Sequence, residues 1–234
     1  MSFKINKDTK NILFHLSGGT DSALLLYLTC KYITENNMKT TINPVTMVDE
    51  ENPHNVKFVK KIIKLMKHFF VDVRLKSSKF EYGTKKQYND NKRELLKNKI
   101  RKHLLSGKYD LTLNAITSLP ELNELSKNIE MMKESKTRGA PIATEDRNKT
   151  LDKDEGPTFS KEFKCYYQRP FHNYDKRDIA KLYKEYNLMS SLFNITQSCV
   201  AGEEETKKGT IACKKCYWCL EKYWAFGLYD FEYK

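Results

Sequence analysis

Apolar and polar residues follow two different periods along the chain, which predict strands and helices in turn. The run Asn11–Leu16 is short and apolar, as in a buried strand, and it gives way to small polar residues and glycines. Ala23–Tyr32 continues as an apolar helix, and Asn55–Phe70 places apolar residues on one helical face and lysines on the other. The chain therefore opens as strand, glycine turn and helix.

The same analysis extends over much of the remaining sequence. The predicted further strands are Thr41–Val48, Val71–Leu75 and Asp110–Ile116, and the predicted further helices are Lys92–Leu105 and Asp175–Tyr186. Strands that alternate with helices form βαβ units, so we predict an α/β fold with a mostly parallel sheet.

Two polar stretches do not fit the alternation. Ser77–Asn91 is predicted to be a surface loop, and Ser118–Ser160 is predicted to be a long excursion within the domain. An excursion of that length is typical of a lid, an insertion or a partly disordered segment.

Length and charge limit the classes of protein to which the chain can belong. Its 234 residues allow one sizeable α/β domain with a small appendage. The net charge of +12 attracts phosphates, although a lysine-rich surface also keeps a protein soluble, and both interpretations stay open. The sequence lacks a membrane-spanning run and a secretory signal, so we expect a cytoplasmic protein with no membrane partner (in the host cytoplasm if a phage encodes it).

The glycine turn has the composition of an anion-binding loop. Its residues, between the first strand and the first helix, are Leu16, Ser17, Gly18, Gly19, Thr20, Asp21 and Ser22. Glycines permit a positive φ and a close approach to a ligand, while amides at the start of a helix point at one spot with favourable potential. The alternative is a plain turn in which Thr20 or Asp21 caps the helix.

Four of the six cysteines lie close together near the end of the sequence. They are Cys199, Cys213, Cys216 and Cys219, which form two overlapping C-x-x-C pairs with a more distant first member. Four thiolates at such spacing are typical of a structural Zn²⁺ site, and a redox C-x-x-C pair is the alternative.

The residues SGGTDS resemble the S-G-G-x-D-S loop of the PP-loop ATP pyrophosphatases. The resemblance implies an adenine nucleotide alpha hydrolase-like, Rossmann-like fold that cleaves ATP between its α- and β-phosphates. It also implies that Leu16–Ser22 hold the pyrophosphate portion of ATP and that Asp21 helps to hold Mg²⁺. Met47 and Val48, at the end of the second strand, would lie beside the adenine.

The loop together with the cysteine tail is similar to the 7-cyano-7-deazaguanine synthase family. Asn194–Cys199 resembles that family's lead-in to its first metal ligand, and Lys176, which opens a helix after Asp175, resembles a lysine that contacts phosphate or a developing adenylate. A solvated lysine at the helix start is the alternative for Lys176. The implied domains are residues 1–188 for the PP-loop unit, with the polar insertion at about 118–160, and residues 189–234 for a zinc-binding helical tail.

The implied activity is that of an AMP-forming, ATP-dependent carbon–nitrogen ligase. Its catalytic residues would be Asp21 and Lys176, and its substrates would be a deazapurine acid, ammonia and ATP with Mg²⁺. Homodimers are common in this fold class, and nucleic acid is a compatible but unnecessary partner.

The middle of the chain departs from the family's pattern. The family's Pro-Gly-Arg-Asn segment is missing near Tyr88–Glu94, and Asn114–Leu119 replaces the acidic and aromatic residues expected after the fourth strand. The acceptor is therefore open: a tRNA base, another small acid or a protein terminus is an alternative. A non-catalytic, zinc-stabilised nucleic-acid-binding module is a further one.

Overall fold

The alternation of strands and helices is present in the computed structural model, which describes residues 4–49, 53–83, 92–120, 147, 156–202, 204–207 and 209–233. The strands are β1 Asn11–His15, β2 Thr41–Asp49, β3 Arg74–Leu75, β4 Lys79–Gly83, β5 Leu111–Leu113, β6 Thr158–Ser160 and β7 Cys165–Gln168. The helices are α1 Thr20–Glu35, α2 Asn55–Phe69, α3 Lys92–Leu105, α4 Lys176–Glu185 and α5 Tyr217–Phe226, with a 3₁₀ turn at Phe193–Ile195.

Within the described residues, all the strands form one sheet in the order β3-β2-β1-β5-β7-β6, and β4 also pairs with β2. All pairings are parallel except that of β6 with β7. The predicted α/β class with a mainly parallel, Rossmann-like sheet is confirmed. Parallel strands end at the same edge, which places the ends of β1 and β2 side by side.

A proline explains why the outer edge of β2 carries two short strands. Ile42 O accepts from Lys76 N, so the even-numbered residues of β2 face this edge. Pro44 is the next such residue and has no N–H to donate. The pairing of β3 ends opposite Ile42, and that of β4 begins opposite Val45.

Some sequence predictions of local structure were wrong or too long. Residues 79–83 of the expected surface loop Ser77–Asn91 form β4, because they continue the sheet beyond the gap at Pro44. The third strand occupies only Arg74–Leu75 of Val71–Leu75, and β5 only Leu111–Leu113 of Asp110–Ile116. Residues 158–160 of the expected excursion form β6, whereas residues 84–91, 121–146 and 148–155 lie outside the described residues.

Successive side chains of β1 point to opposite faces of the sheet, and each face has its own hydrophobic cluster. Ile12 and Phe14 pack in the larger cluster with α1, α2 and α4, and Leu13 packs in a smaller cluster with Ile100 and Leu104 of α3. The tail joins the larger cluster, because Phe226 of α5 lies in ring contact with Phe193, at 4.9 Å between centroids.

No helix in the described part of the chain is both long and apolar enough to cross a membrane.

Helix α2 offers a direct test of this packing. Ile62 lies on the fully buried side of α2, and Lys60 lies on the exposed side of the same helix. We expect Ile62→Ala to lower the free energy of unfolding by about 2–5 kcal/mol, because it removes apolar contacts and leaves a cavity. Lys60→Ala should change it by less than about 0.5 kcal/mol. Urea unfolding followed by circular dichroism measures both, and equal losses would contradict the assigned helix face.

Candidate functional site

The glycine turn lies at the carboxyl edge of the sheet and is supported from below by β2. Leu16 N donates to Val45 O at 3.0 Å, which extends the pairing of β1 with β2 by one residue. Thr46 Oγ1 donates to Leu16 O at 2.7 Å and lies 2.7 Å from Ser78 Oγ. These bonds hold the entrance to the turn rigidly on the central strands.

The two glycines of the turn have different roles. Gly18 has a φ of +91°, which L side chains rarely adopt, and it turns the chain against Asn55 and Phe58 at the start of α2. Gly19 has a φ of −83° and is the N-cap of α1. A positive φ is thus needed at Gly18 alone, and Gly19 leaves ordinary van der Waals room for a Cβ.

The hydroxyl groups of the turn mostly shape the loop itself. Ser22 Oγ accepts from Ser17 N at 3.2 Å and lies 2.9 Å from Ser17 Oγ. Thr20 and Ser22 are buried, whereas Ser17 is exposed. Since Ser17 N and Gly19 N donate within the loop, the donors that the turn can present to an anion include the amides of the first turn of α1 and the Ser17 hydroxyl.

The structure brings the two predicted catalytic residues together at this turn. Lys176 is the first residue of α4, whose N-cap Asp175 accepts from Arg177 N and Asp178 N. Lys176 Nζ donates to both oxygens of Asp21, at 2.7 and 2.5 Å. Lys176 is 3% exposed, so it is a buried ion-pair partner and not a solvated lysine at a helix start.

A row of alternating charges continues inward from this pair. Glu221 of α5 is fully buried, and its Oε2 lies 3.9 Å from Lys176 Nζ. Its Oε1 accepts from Arg147 Nη2 at 2.6 Å and from Tyr217 OH at 3.0 Å. Arg147 also donates to the oxygens of Thr117 and to Ser118 O. Buried charges are costly unless they are paired, and every member of this row has an opposite charge beside it.

The residues predicted to lie beside an adenine occupy the end of β2. Met47 is 44% exposed, and its carbonyl accepts from Asn55 Nδ2 at 2.9 Å. Val48 is buried, so only its backbone can face a ligand at this edge.

Two titratable groups next to the turn are held neutral near pH 7. Burial, aided by His103, lowers the pKa of His15 to about 4, and its Nε2 lies 3.3 Å from Thr112 Oγ1. Burial and Asp21 raise the pKa of Tyr183 well above its usual range, and its hydroxyl donates to Thr20 O at 2.9 Å. Neither group adds charge to the loop.

The structure also brings the four predicted metal ligands together. The sulfur atoms of Cys199, Cys213, Cys216 and Cys219 all lie within 4.8 Å of one another, and those of Cys213 and Cys219 are 3.8 Å apart. Metal–sulfur bonds of about 2.3 Å in a tetrahedron place two sulfurs about 3.8 Å apart. Thiol hydrogen bonds, first that of Cys199, lower the pKa of Cys213. The donor set fits one tetrahedral ion.

The cysteine cluster is joined directly to the glycine turn. Gln197 N donates to Gly18 O at 2.9 Å, two residues before the first cysteine. Asp230 Oδ2 accepts from Ser198 N and from Cys199 N, each at 2.9 Å, and its Oδ1 accepts from buried Lys222. Burial lowers the pKa of Lys222, and the negative charge of Asp230 acts in the opposite direction by raising that pKa. The segment that carries the first cysteine therefore also braces the turn.

Sequence reasoning missed Glu221, Arg147 and Asp230. A signal for Glu221 is present, because the doublet Glu221-Lys222 interrupts an otherwise apolar and aromatic helix and calls for buried partners. Nothing in the sequence marks Arg147, which lies in the polar insertion. The sequence also offers Lys92 and Arg93 as candidate anion contacts. Their side chains lie outside the described part of the chain.

A known protein family matches almost the whole length of the chain. A family model described as "Queuosine biosynthesis protein QueC" matches residues 11–230. Among solved structures, the chain is similar to the U34-tRNA thiolase NcsA from Methanococcus maripaludis with its 4Fe-4S cluster, at 12% identity and a TM-score of 0.41. That match covers 76% of this chain and 57% of the thiolase chain. The curated protein sequences contain no significant match.

The backbone at Gly18 predicts a loss of anion binding upon substitution. Gly18→Ala forces a Cβ onto a φ of +91°, at a cost of about 1–3 kcal/mol, and the turn can relax by moving its amides. We expect weaker binding of ATP by calorimetry. Gly107→Ala is the matched control, since Gly107 has a φ of +65° with open space around it. Unchanged ATP affinity in Gly18→Ala would contradict the assigned role of the turn.

The cysteine cluster predicts that metal content and stability fall together. We expect Cys216→Ser to reduce bound metal and the melting temperature, because three thiolates hold a tetrahedral ion less tightly than four. Cys165→Ser is the control, since Cys165 is a buried cysteine outside the cluster. Elemental analysis and thermal unfolding measure the two quantities. Full metal content in Cys216→Ser would show that this cysteine is not a ligand.

Proposed function

This chain belongs to the QueC family of PP-loop, ATP-utilising enzymes, and from that premise we propose that it is an ATP-dependent carbon–nitrogen ligase. The proposed substrate is a carboxylate, 7-carboxy-7-deazaguanine, which is adenylated and then converted by ammonia to the amide. A second adenylation of the amide oxygen allows loss of that oxygen with AMP and gives the nitrile 7-cyano-7-deazaguanine. Each activation releases pyrophosphate.

The observation that carries the proposal is the convergence of three features at the start of α1. Gly18 turns the chain with a positive φ just before the N-terminus of α1, Asp21 lies in the first helical turn, and buried Lys176 bonds to both oxygens of Asp21. Amides and a helix N-terminus favour the pyrophosphate portion of a nucleotide. The carboxylate of Asp21 suits Mg²⁺, which prefers oxygen ligands.

The proposed catalysis depends on orientation and electrostatics. The turn holds the β- and γ-phosphates, so that the α-phosphorus faces the acceptor oxygen and the bond to the leaving pyrophosphate lies over the loop amides. Asp21 would help to hold Mg²⁺, which would supply positive charge to the phosphate groups. Lys176 offers an ammonium group to the charge that develops on the transferred phosphoryl group. Met47 and the backbone of Val48 would line the adenine side.

We propose Zn²⁺ as the ion of the cysteine cluster, in a structural role. The 3.8 Å separation of the Cys213 and Cys219 sulfurs supports a single tetrahedral ion. A four-iron cluster is larger and holds its cysteine sulfurs further apart. Through Gln197 and Gly18 the ion would stabilise the same loop that holds the nucleotide.

A different acceptor is the second candidate, and one observation favours it. Thr117 and Ser118, in the segment after β5, are buried neutral residues whose oxygens accept from Arg147, so they do not replace the acidic and aromatic residues that the family has there. A tRNA base, another small acid or a protein terminus would then receive the adenylate. The ATP chemistry is the same in both candidates.

A direct assay tests the proposed reaction. Protein, ATP, Mg²⁺, ammonia and the deazapurine acid are mixed, and we expect AMP, pyrophosphate and a mass change from acid to amide and nitrile. AMP release that needs RNA or a protein acceptor would favour the second candidate. ADP as the nucleotide product, or no turnover with any acceptor, would overturn the proposal.

Lys176 provides the matching mutational test. We expect Lys176→Met to lower kcat for AMP release by about 10²–10³-fold, because it removes charge at the transferred phosphoryl group. Lys181→Met on the same helix is the control, since its side chain is 77% exposed and pairs with Asp178 at the surface. Equal activity of the two variants would exclude the assigned role of Lys176.

A further inference from the structure

Glu221 has two oxygens with different surroundings. Its Oε1 accepts from both Arg147 and Tyr217, whereas its Oε2 is buried and has no hydrogen-bond partner in the part of the chain that the structure describes. A carboxylate oxygen without a bond is costly in a buried position. The ammonium of Lys176 lies 3.9 Å from it.

Lys176 therefore lies between two carboxylates. It bonds to both oxygens of Asp21 and lies just beyond bonding distance of Glu221 Oε2. A shift of its ammonium by about 1 Å would complete the second contact, since charge-assisted N–H···O bonds are about 2.7–2.9 Å long. The four-methylene side chain of lysine permits a shift of this size.

The two roles of Asp21 are in conflict. In the proposed function, Asp21 helps to hold Mg²⁺, yet in this structure both of its oxygens accept from Lys176. Mg²⁺ and the ammonium group are like charges that repel each other at one carboxylate, so Mg²⁺ binds Asp21 more strongly if Lys176 moves away. A buried ammonium that leaves one carboxylate needs other negative charge beside it, and Glu221 Oε2 lies 3.9 Å away in addition to any bound phosphate.

We propose that Glu221 is a positioning residue: when Mg²⁺ with the nucleotide takes Asp21, Glu221 Oε2 accepts from the ammonium of Lys176 and holds that ammonium beside the bound phosphates. Arg147 and Tyr217 fix the Glu221 carboxylate through its other oxygen, which leaves Oε2 aimed at Lys176. The inference rests on the proposed function and deepens it. It also gives the insertion residue Arg147 and the tail helix α5 a part in metal binding at the glycine turn.

The test is the Mg²⁺ dependence of nucleotide binding, which needs no turnover. Binding of α,β-methylene ATP, which cannot be cleaved between its α- and β-phosphates, is titrated with Mg²⁺ by calorimetry. In Glu221→Gln the ammonium has no second carboxylate, so we expect the half-saturating Mg²⁺ concentration to rise on the order of tenfold, or about 1.4 kcal/mol.

Two further variants separate positioning from structure. Tyr223→Phe changes a residue of the same helix α5 whose side chain is 49% exposed, so its Mg²⁺ dependence should match that of the original protein. In a Lys176→Met background, Glu221→Gln should no longer shift the Mg²⁺ dependence, because the competing ammonium is gone. Metal content of the cysteine cluster and the melting temperature report whether each variant is folded.

The outcomes distinguish the two proposals. If the original protein binds no nucleotide, the proposed function fails. If it binds nucleotide but Glu221→Gln leaves the Mg²⁺ dependence unchanged, the role of Glu221 is wrong. A shift of equal size in the Lys176→Met background would show a simple loss of negative charge near the site, and that would also overturn the proposal.

Discussion

A buried ammonium that must always be paired organises this protein. Lys176 is carried into the interior by the first turn of α4, and it meets Asp21 at the first turn of α1. Burial of that charge without a partner would cost several kcal/mol, so the two helix starts are fixed relative to each other. Glu221 and Arg147 extend the alternation of charges into the tail helix and the insertion. The glycine turn, the tail and the insertion residue Arg147 thus meet at a single electrostatic centre.

The C-terminal tail contributes Glu221 to this group of charges and packs on the main core, although the sequence suggests that the tail is a separate appendage. Its phenylalanines join the main core, and Asp230 holds the amides of Ser198 and Cys199. One residue earlier, Gln197 bonds to Gly18 of the glycine turn. A structural ion at the cysteines would therefore stabilise more than the tail, because the same short segment carries Cys199 at one end and braces the loop at the other.

Much of the fold was readable because its signals are local. The apolar run of β1, the amphipathic pattern of α2 and the Asp175 cap of α4 each reflect interactions within a few residues, and all three elements appear where the pattern predicts them. The strand Lys79–Gly83 was missed because it is a five-residue stretch within a mostly polar segment and lies on a sheet edge, where pairing with β2 decides its structure. Glycine and cysteine spacing likewise indicated the turn and the metal cluster.

By itself the sequence determined the kind of chemistry: a glycine turn between a strand and a helix, and four thiols close enough in the chain to share one ion. Only the tertiary structure decided which charges surround that turn. Asp21, Lys176 and Glu221 are far apart in sequence, and their partnership depends on how the helices α1, α4 and α5 pack. Local patterns carry no information on such contacts, because the energy of a buried charge is set by what lies around it in space.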